Sequence, residues 1–147
     1  MAHDPIETWK TMKIRVWPED YFLIDIAHDK VGHAMDCIRH SSSRFCSVTR
    51  DKFGFSLVVD GETWSRFGDP GIERTKFGPL KVISTDSELP FDVPGFIRTA
   101  ITPVNAKGLK AAPICGLQSD HFFTGAGEID QVLEIFNAFS AGEREDA

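Results

Sequence analysis

The sequence predicts an α+β chain of antiparallel sheets with helices packed on one side of them. Seven stretches of strand length carry alternating or continuous apolar residues: Met12–Trp17, Tyr21–Ile26, Arg44–Arg50, Phe55–Val59, Lys76–Ser84, Leu109–Cys115 and Asp120–Thr124. Between and after them lie three stretches with helical periodicity. The composition, 41% hydrophobic and 26% charged over 147 residues, is that of a soluble globular chain of one domain or two small ones.

Met12, Ile14 and Val16 alternate with Lys13 and Arg15, the period of a half-buried strand. Pro18-Glu19-Asp20 makes a turn into the more apolar run Tyr21–Ile26. Asp29 is placed to cap a short helix from Lys30 to about Arg39, with Val31, Ala34, Met35 and Ile38 on one face. Asp51-Lys52-Phe53-Gly54 reads as a hairpin connection between the next two strands. The density of Gly61, Gly68, Pro70 and Gly71 then predicts a linker over residues 60–75. A strand follows, broken or bulged near Gly78-Pro79, and then a helix running to about Ala106 that bends or restarts at Pro103. Gly108 ends that helix, two strands meet around Gly116, and Ile129, Val132, Leu133, Ile135, Phe136 and Phe139 stripe a last helix. The charged tail from Gly142 on is expected to fray. The order is ββαββ, a linker, then βαββα. The second half is one strand short of a ferredoxin-like βαββαβ unit. The surplus strand Met12–Trp17 is expected to cross over and supply it. The expected modules span 12–62, lacking a second helix, and 76–140.

The formal net charge is −6, and no Lys/Arg cluster offers a footprint for nucleic acid or an anionic membrane. Three cysteines without a CxxC pair, and a polar start without an apolar leader core, point to reduced thiols in the cytoplasm. No zinc-ligand spacing is present, and no cofactor or metal is expected.

The segment Asp92-Val93-Pro94-Gly95-Phe96 joins an apolar strand to an apolar helix. Asp92 reads as the N-cap, Pro94 as a first-turn residue and Gly95 as a point of close approach. Such a helix start suits an anionic group, for instance an amino-acid carboxylate. This segment, with Gly108 and the strand after it, resembles the signature of ACT domains, in which Asp-x-Pro-Gly opens the first helix. Phe45-Cys46-Ser47-Val48-Thr49-Arg50 followed by Ser56-Leu57-Val58-Val59 is similar to the first half of small tandem ACT-like proteins. Ile114–Phe123, with Asp120-His121 at its centre, is similar to the hairpin of their second half. The resemblance spans roughly residues 12–139. It implies two ferredoxin-like modules packed together and a regulatory protein that binds an amino acid between modules or subunits; sheet edges in such modules invite side-by-side pairing, so a homodimer is the expected assembly. Its positions here are Arg50, Asp51, Gly54 and Ser56 in the first half. In the second half they are Ser87, Glu88, Asp92, Gly95, Cys115, Gly116 and Asp120. The chain departs from the pattern at Asp51, Gly54-Phe55, Cys115-Gly116-Leu117 and Thr124.

Each candidate has a structural alternative. Asp92 also reads as a plain cap, Cys115 as an inert thiol, and Glu88, Asp86 and Asp51 as solvated loop acids. Should those acids converge, they would favour a ligand with a basic side chain. Asp120 is the stronger pocket candidate, since a carboxylate there would bind an ammonium or guanidinium. His121 points to the opposite face of its strand and reads as structural. An enzyme on a recruited scaffold, with Asp120 or Cys115 reactive, and an interaction module with a vestigial pocket are the competing readings.

Overall fold

The computed structural model describes residues 3–144, which form two compact units. One is Pro18–Leu80. The other comprises the residues up to Trp17 together with those from Lys81 onward.

In the unit Pro18–Leu80 the order is βαββαβ. Strand β2 (Tyr21–Ile26) leads through a 3-10 turn (His28–Lys30) into α2 (Val31–Arg39). Strands β3 (Ser47–Asp51) and β4 (Gly54–Asp60) follow as the expected hairpin, then α3 (Gly61–Phe67) and the first part of β5 (Thr75–Thr85). The sheet order β3-β4-β2-β5 is antiparallel at every step, with Ile24 opposite Leu57 and Tyr21 opposite Leu80. The core joins Ile24, Ile26, Ala34, Cys37, Phe55, Leu57, Val59 and Trp64.

Residues 60–75, read as a linker, thus contain the second helix. The Asp60 carboxylate accepts the Thr63 amide at 3.0 Å and the Thr63 hydroxyl at 2.6 Å, which caps α3. Trp64, 2% exposed, anchors it to the core. Seven residues among four Gly and Pro are too few to show a period, so burial of one tryptophan decides what propensity does not.

The other unit begins with α1 (Pro5–Thr11) and β1 (Ile14–Val16) and resumes with the end of β5. Then come α4 (Phe96–Ala106), β6 (Ala112–Cys115), β7 (Asp120–Gly125), a 3-10 turn (Ala126–Glu128) and α5 (Ile129–Phe139). The sheet order is β1-β5-β7-β6. Strand β1 pairs antiparallel with β5, Ile14 opposite Thr85 and Val16 opposite Ile83, so the leading strand supplies the one that the second half lacks. The tail does not fray where it is described. Ala141 N–H donates to the Met12 carbonyl and Arg144 N–H to that of Ile14, and the Gly142 carbonyl accepts the Ile14 amide. The Arg144 guanidinium also meets Asp86, which pairs with Arg15.

Helix α1 was not apparent from periodicity. Asp4 caps it by accepting the Glu7 amide at 3.0 Å, and Pro5 occupies its first turn. Its Trp9, fully buried, stacks on Phe96 at 4.2 Å between ring centroids and donates its indole N–H to the Phe96 carbonyl at 2.8 Å. Helix α4 runs unbroken through Pro103. It places Phe96, Ala100 and Val104 in the core, and that burial offsets the missing amide.

Thr124 lies 3% exposed on β7, and its hydroxyl is the buried side-chain polar atom left without a hydrogen-bond partner among the described residues. An unpartnered buried hydroxyl costs free energy, and valine fills nearly the same shape without it. Thr124→Val is expected to raise stability by roughly 1 kcal/mol. The check is the midpoint of urea denaturation at unchanged slope; a lower midpoint would show that the hydroxyl is satisfied.

Candidate functional site

The end of β5 and the start of β7 are stitched together by side chains. Thr85, buried, accepts the Asp120 amide on its hydroxyl at 3.0 Å, and its carbonyl accepts the Ser119 hydroxyl at 2.9 Å. The turn between β6 and β7 is closed by Gly116 N–H donating to the Ser119 carbonyl at 3.0 Å. A Cβ on Gly116 would stand 2.7 Å from that carbonyl oxygen, so only glycine fits the turn. These bonds fix Asp120 beside Cys115, opposite which it pairs in the β6–β7 register.

A cleft of about 750 Å³ opens between this hairpin and the first turns of α4. Leu89, Phe91, Val93, Ile97, Ile101 and Leu117 supply much of its apolar lining. Asp120 is its one carboxylate and Arg98 its one cation. Asp120 is 6% exposed, and burial raises its carboxyl above the ordinary carboxylate range, against the lowering effect of the Gly116 amide and the Cys115 thiol. Arg98 is exposed and has no ion-pair partner among the described residues. Cys115 is exposed, yet desolvation and then the neighbouring Asp120 charge raise its thiol above the usual value. That is the opposite of what an activated nucleophile requires.

The start of α4 differs from the expectation in detail. Gly95, with φ +82°, is the N-cap, and Asp92 and Pro94 lie before the helix. The glycine is required by its left-handed backbone, which an L side chain rarely adopts, and not by crowding: the nearest atom to a Cβ there would be Pro5 Cγ at 3.7 Å. No side chain caps the helix, and a first turn leaves backbone donors without intrahelical partners. Asp92 is exposed, and its carbonyl accepts the His3 amide at 2.9 Å.

Of the expected positions, Gly95, Cys115, Gly116 and Asp120 therefore share the cleft. Ser87 and Glu88 border two smaller cavities, one of about 500 Å³ with Thr85, Asp86, Gln118 and Ser119, the other of about 300 Å³ beside α1. The loop acids do not gather in the cleft: Asp86 is held by Arg15 and Arg144, and with Glu88 it lines the cavity of about 500 Å³ instead. The first-half positions lie in the other unit. Asp51 accepts the Phe53 amide at 2.8 Å and shapes the hairpin turn. Arg50 lies 5.8 Å from the centroid of the Phe55 ring. Gly54 is required locally, since a Cβ would collide with the Ile26 carbonyl. Ser56 is half-buried, opposite Thr49 and Asp25. Arg98 went unnoticed in the sequence. Its signal was its place beside Ile97 and one turn before Ile101 and Thr102, just after Gly95.

His121, on the other side of β7 from the Asp120 side chain, is within hydrogen-bond reach of Ser84 Oγ, which also accepts the Trp17 indole N–H at 2.7 Å. Burial lowers the His121 pKa. Among the described residues no group of His, Cys, Asp and Glu could hold a metal ion, and no helix is long and apolar enough to cross a membrane.

Two outcomes follow from these titrations. Removing the Asp120 charge lets the Cys115 thiol ionise more readily, so Asp120→Asn is expected to speed its alkylation by iodoacetamide at about pH 8. The buried Cys37 is held up to about 11 and does not compete. Equal rates in the two proteins would separate the pair. For His121 the folded pKa lies below the unfolded one, so the unfolded chain binds the extra proton and stability falls as pH drops through about 6.5. His121→Gln is expected to lessen that loss, read as urea midpoints at about pH 7 and pH 5; an unchanged loss would place the titration elsewhere.

No protein-family model and no curated protein sequence matches the chain. Solved structures do. A Vibrio cholerae protein of unknown function, considered a possible transport protein, superposes with a TM-score of 0.68 at 18% identity, over 88% of this chain and 91% of that one. An Agrobacterium tumefaciens protein gives 0.71 at 13% identity, over 90% and 91%. The ligand-free regulatory subunit of aspartate kinase from Thermus thermophilus gives 0.60 at 8% identity, over 89% and 98%. Escherichia coli aspartokinase III, solved with lysine and aspartate, gives 0.56 at 10% identity, and the match takes up 33% of that longer chain. At these identities the likeness concerns the fold, and the fold is the α+β, ferredoxin-like ACT architecture of the aspartate kinase regulatory chains.

Proposed function

We propose that the protein is a non-catalytic regulatory module that binds an amino acid in the cleft beside α4. The observation that carries this reading is the pairing of one carboxylate, Asp120, with one guanidinium, Arg98, in a single apolar-walled cleft. A zwitterion has the matching charges. Its ammonium goes to Asp120 and its carboxylate to Arg98 and the first amides of α4. A bound ammonium would offset, by its opposite charge, the desolvation that raises the Asp120 carboxyl. The raised Cys115 thiol argues against nucleophilic catalysis in the same cleft. A regulatory output requires that the ligand favour one of two arrangements of the protein, which include its assembly. We read that assembly as a homodimer, because β6 and β3 lie at sheet edges and edges invite pairing.

Calorimetric titration with the twenty amino acids tests the proposal. At least one is expected to bind with a stoichiometry of one per chain, and Asp120→Asn and Arg98→Gln are each expected to weaken it by about tenfold or more. No heat with any of them, at about 100 µM protein, would overturn the reading.

A further inference from the structure

Resting on the amino-acid reading just given, we infer that the ligand's side chain is apolar: the cleft selects an amino acid of the leucine, isoleucine, methionine or phenylalanine kind. The inference comes from how few charges the cleft has. Asp120 and Arg98 are its only ionisable pair of opposite sign, and both are used by the α-ammonium and α-carboxylate. A lysine side chain would then end among Leu89, Phe91, Ile97, Ile101 and Leu117 with no second carboxylate to meet it. An aspartate side chain would bring a second carboxylate to the same place with no second cation. An ion there loses part of its water and gains no partner, whereas an alkyl or aryl group there leaves water. The acids that would have served a basic side chain are elsewhere: Asp86 is held by two arginines, Glu88 borders the smaller cavities, and Asp51 belongs to the other unit's hairpin.

Two lining residues are also conspicuous for their exposure. Phe91 is 87% and Leu117 69% exposed, on opposite walls of the cleft, one before α4 and the other in the β6–β7 turn. Large apolar side chains held this far into water are costly to leave uncovered and cover readily on a small apolar group between them. A volume of about 750 Å³ leaves room for an aromatic as well as an aliphatic side chain.

The experiment is a calorimetric comparison of leucine, methionine and phenylalanine with lysine and aspartate. Three further probes complete it: isoamylamine, which lacks the carboxylate, 4-methylpentanoate, which lacks the ammonium, and the Phe91→Ser/Leu117→Ser protein. Both substituted residues are exposed, so the variant is expected to keep its fold, checked by its urea midpoint. At least one apolar amino acid is expected to bind tenfold or more tightly than lysine and aspartate, a difference of about 1.4 kcal/mol. Each single-charge analogue is expected to lose about tenfold or more, and the double variant to lose affinity for the apolar ligand. Lysine or aspartate binding as tightly as leucine would overturn the inference while leaving the amino-acid reading intact. Silence from every amino acid would overturn both. Equal binding of isoamylamine and leucine would show an apolar amine site and overturn both as well.

Discussion

The unit that holds the cleft depends on one side chain, Trp9. Its ring stacks on Phe96 and meets Phe136 and Phe139 edge-on at centroid distances of 5.9 and 4.9 Å, with Phe122 tilted at 6.1 Å. Those four rings come from α4, β7 and α5, so a single indole ties together the elements of this core. A seven-residue helix has little stability of its own, and α1 exists because it carries that indole. The indole N–H, which would be costly to bury alone, ends on the carbonyl of Phe96, the first residue of α4. That bond fixes the residue next to Gly95, while Phe122 sits two positions beyond Asp120 on β7. Both walls of the cleft are thereby referred to one buried ring from the far end of the chain.

The same opening segment supplies β1, and this was the part of the topology that the residues gave away. Counting strands leaves the first half one too many and the second one too few, and antiparallel pairing with β5 resolves both. What sequence periodicity could not deliver were the two seven-residue helices. In α1 the apolar residues are Ile6 and Trp9 only, and Ile6 points outward; in α3 Trp64 alone is large and fully buried. Two turns of helix held by one aromatic have no stripe to read. Their N-caps, Asp4 and Asp60, were the available signal, since each is an aspartate three residues before the amide it caps. At Asp92 the same kind of signal misled. A left-handed glycine three residues later starts the helix instead, and it leaves the aspartate side chain in solvent.

The site was legible in part for a related reason. Gly95, Cys115, Gly116 and Asp120 sit where the backbone turns, and turns announce themselves through glycine and aspartate. Arg98, with Ile97 and Ile101, sits on a regular helix, where an arginine between apolar residues looks like any solvated face. Their meaning depends on the hairpin across from them, which no local pattern encodes.

The departures from the ACT pattern sort themselves by the structure. Asp51 shapes a hairpin turn, Gly54 avoids a carbonyl, and Thr124 brings an unpartnered hydroxyl to a buried position. None of these three touches the cleft. Cys115, Gly116 and Leu117 all do. Glycine lets the turn close on Ser119 and so brings the hairpin tip round, leucine stands where the resemblance has an aromatic residue and keeps the tip apolar, and the thiol takes one bonding position on Asp120 without adding charge. The changes at Cys115 and Gly116 remove hydroxyls from this wall, and Leu117 leaves its tip apolar. The wall that results leaves Asp120 as its single charge, which suits a partner that brings one ammonium and otherwise hydrocarbon to that side.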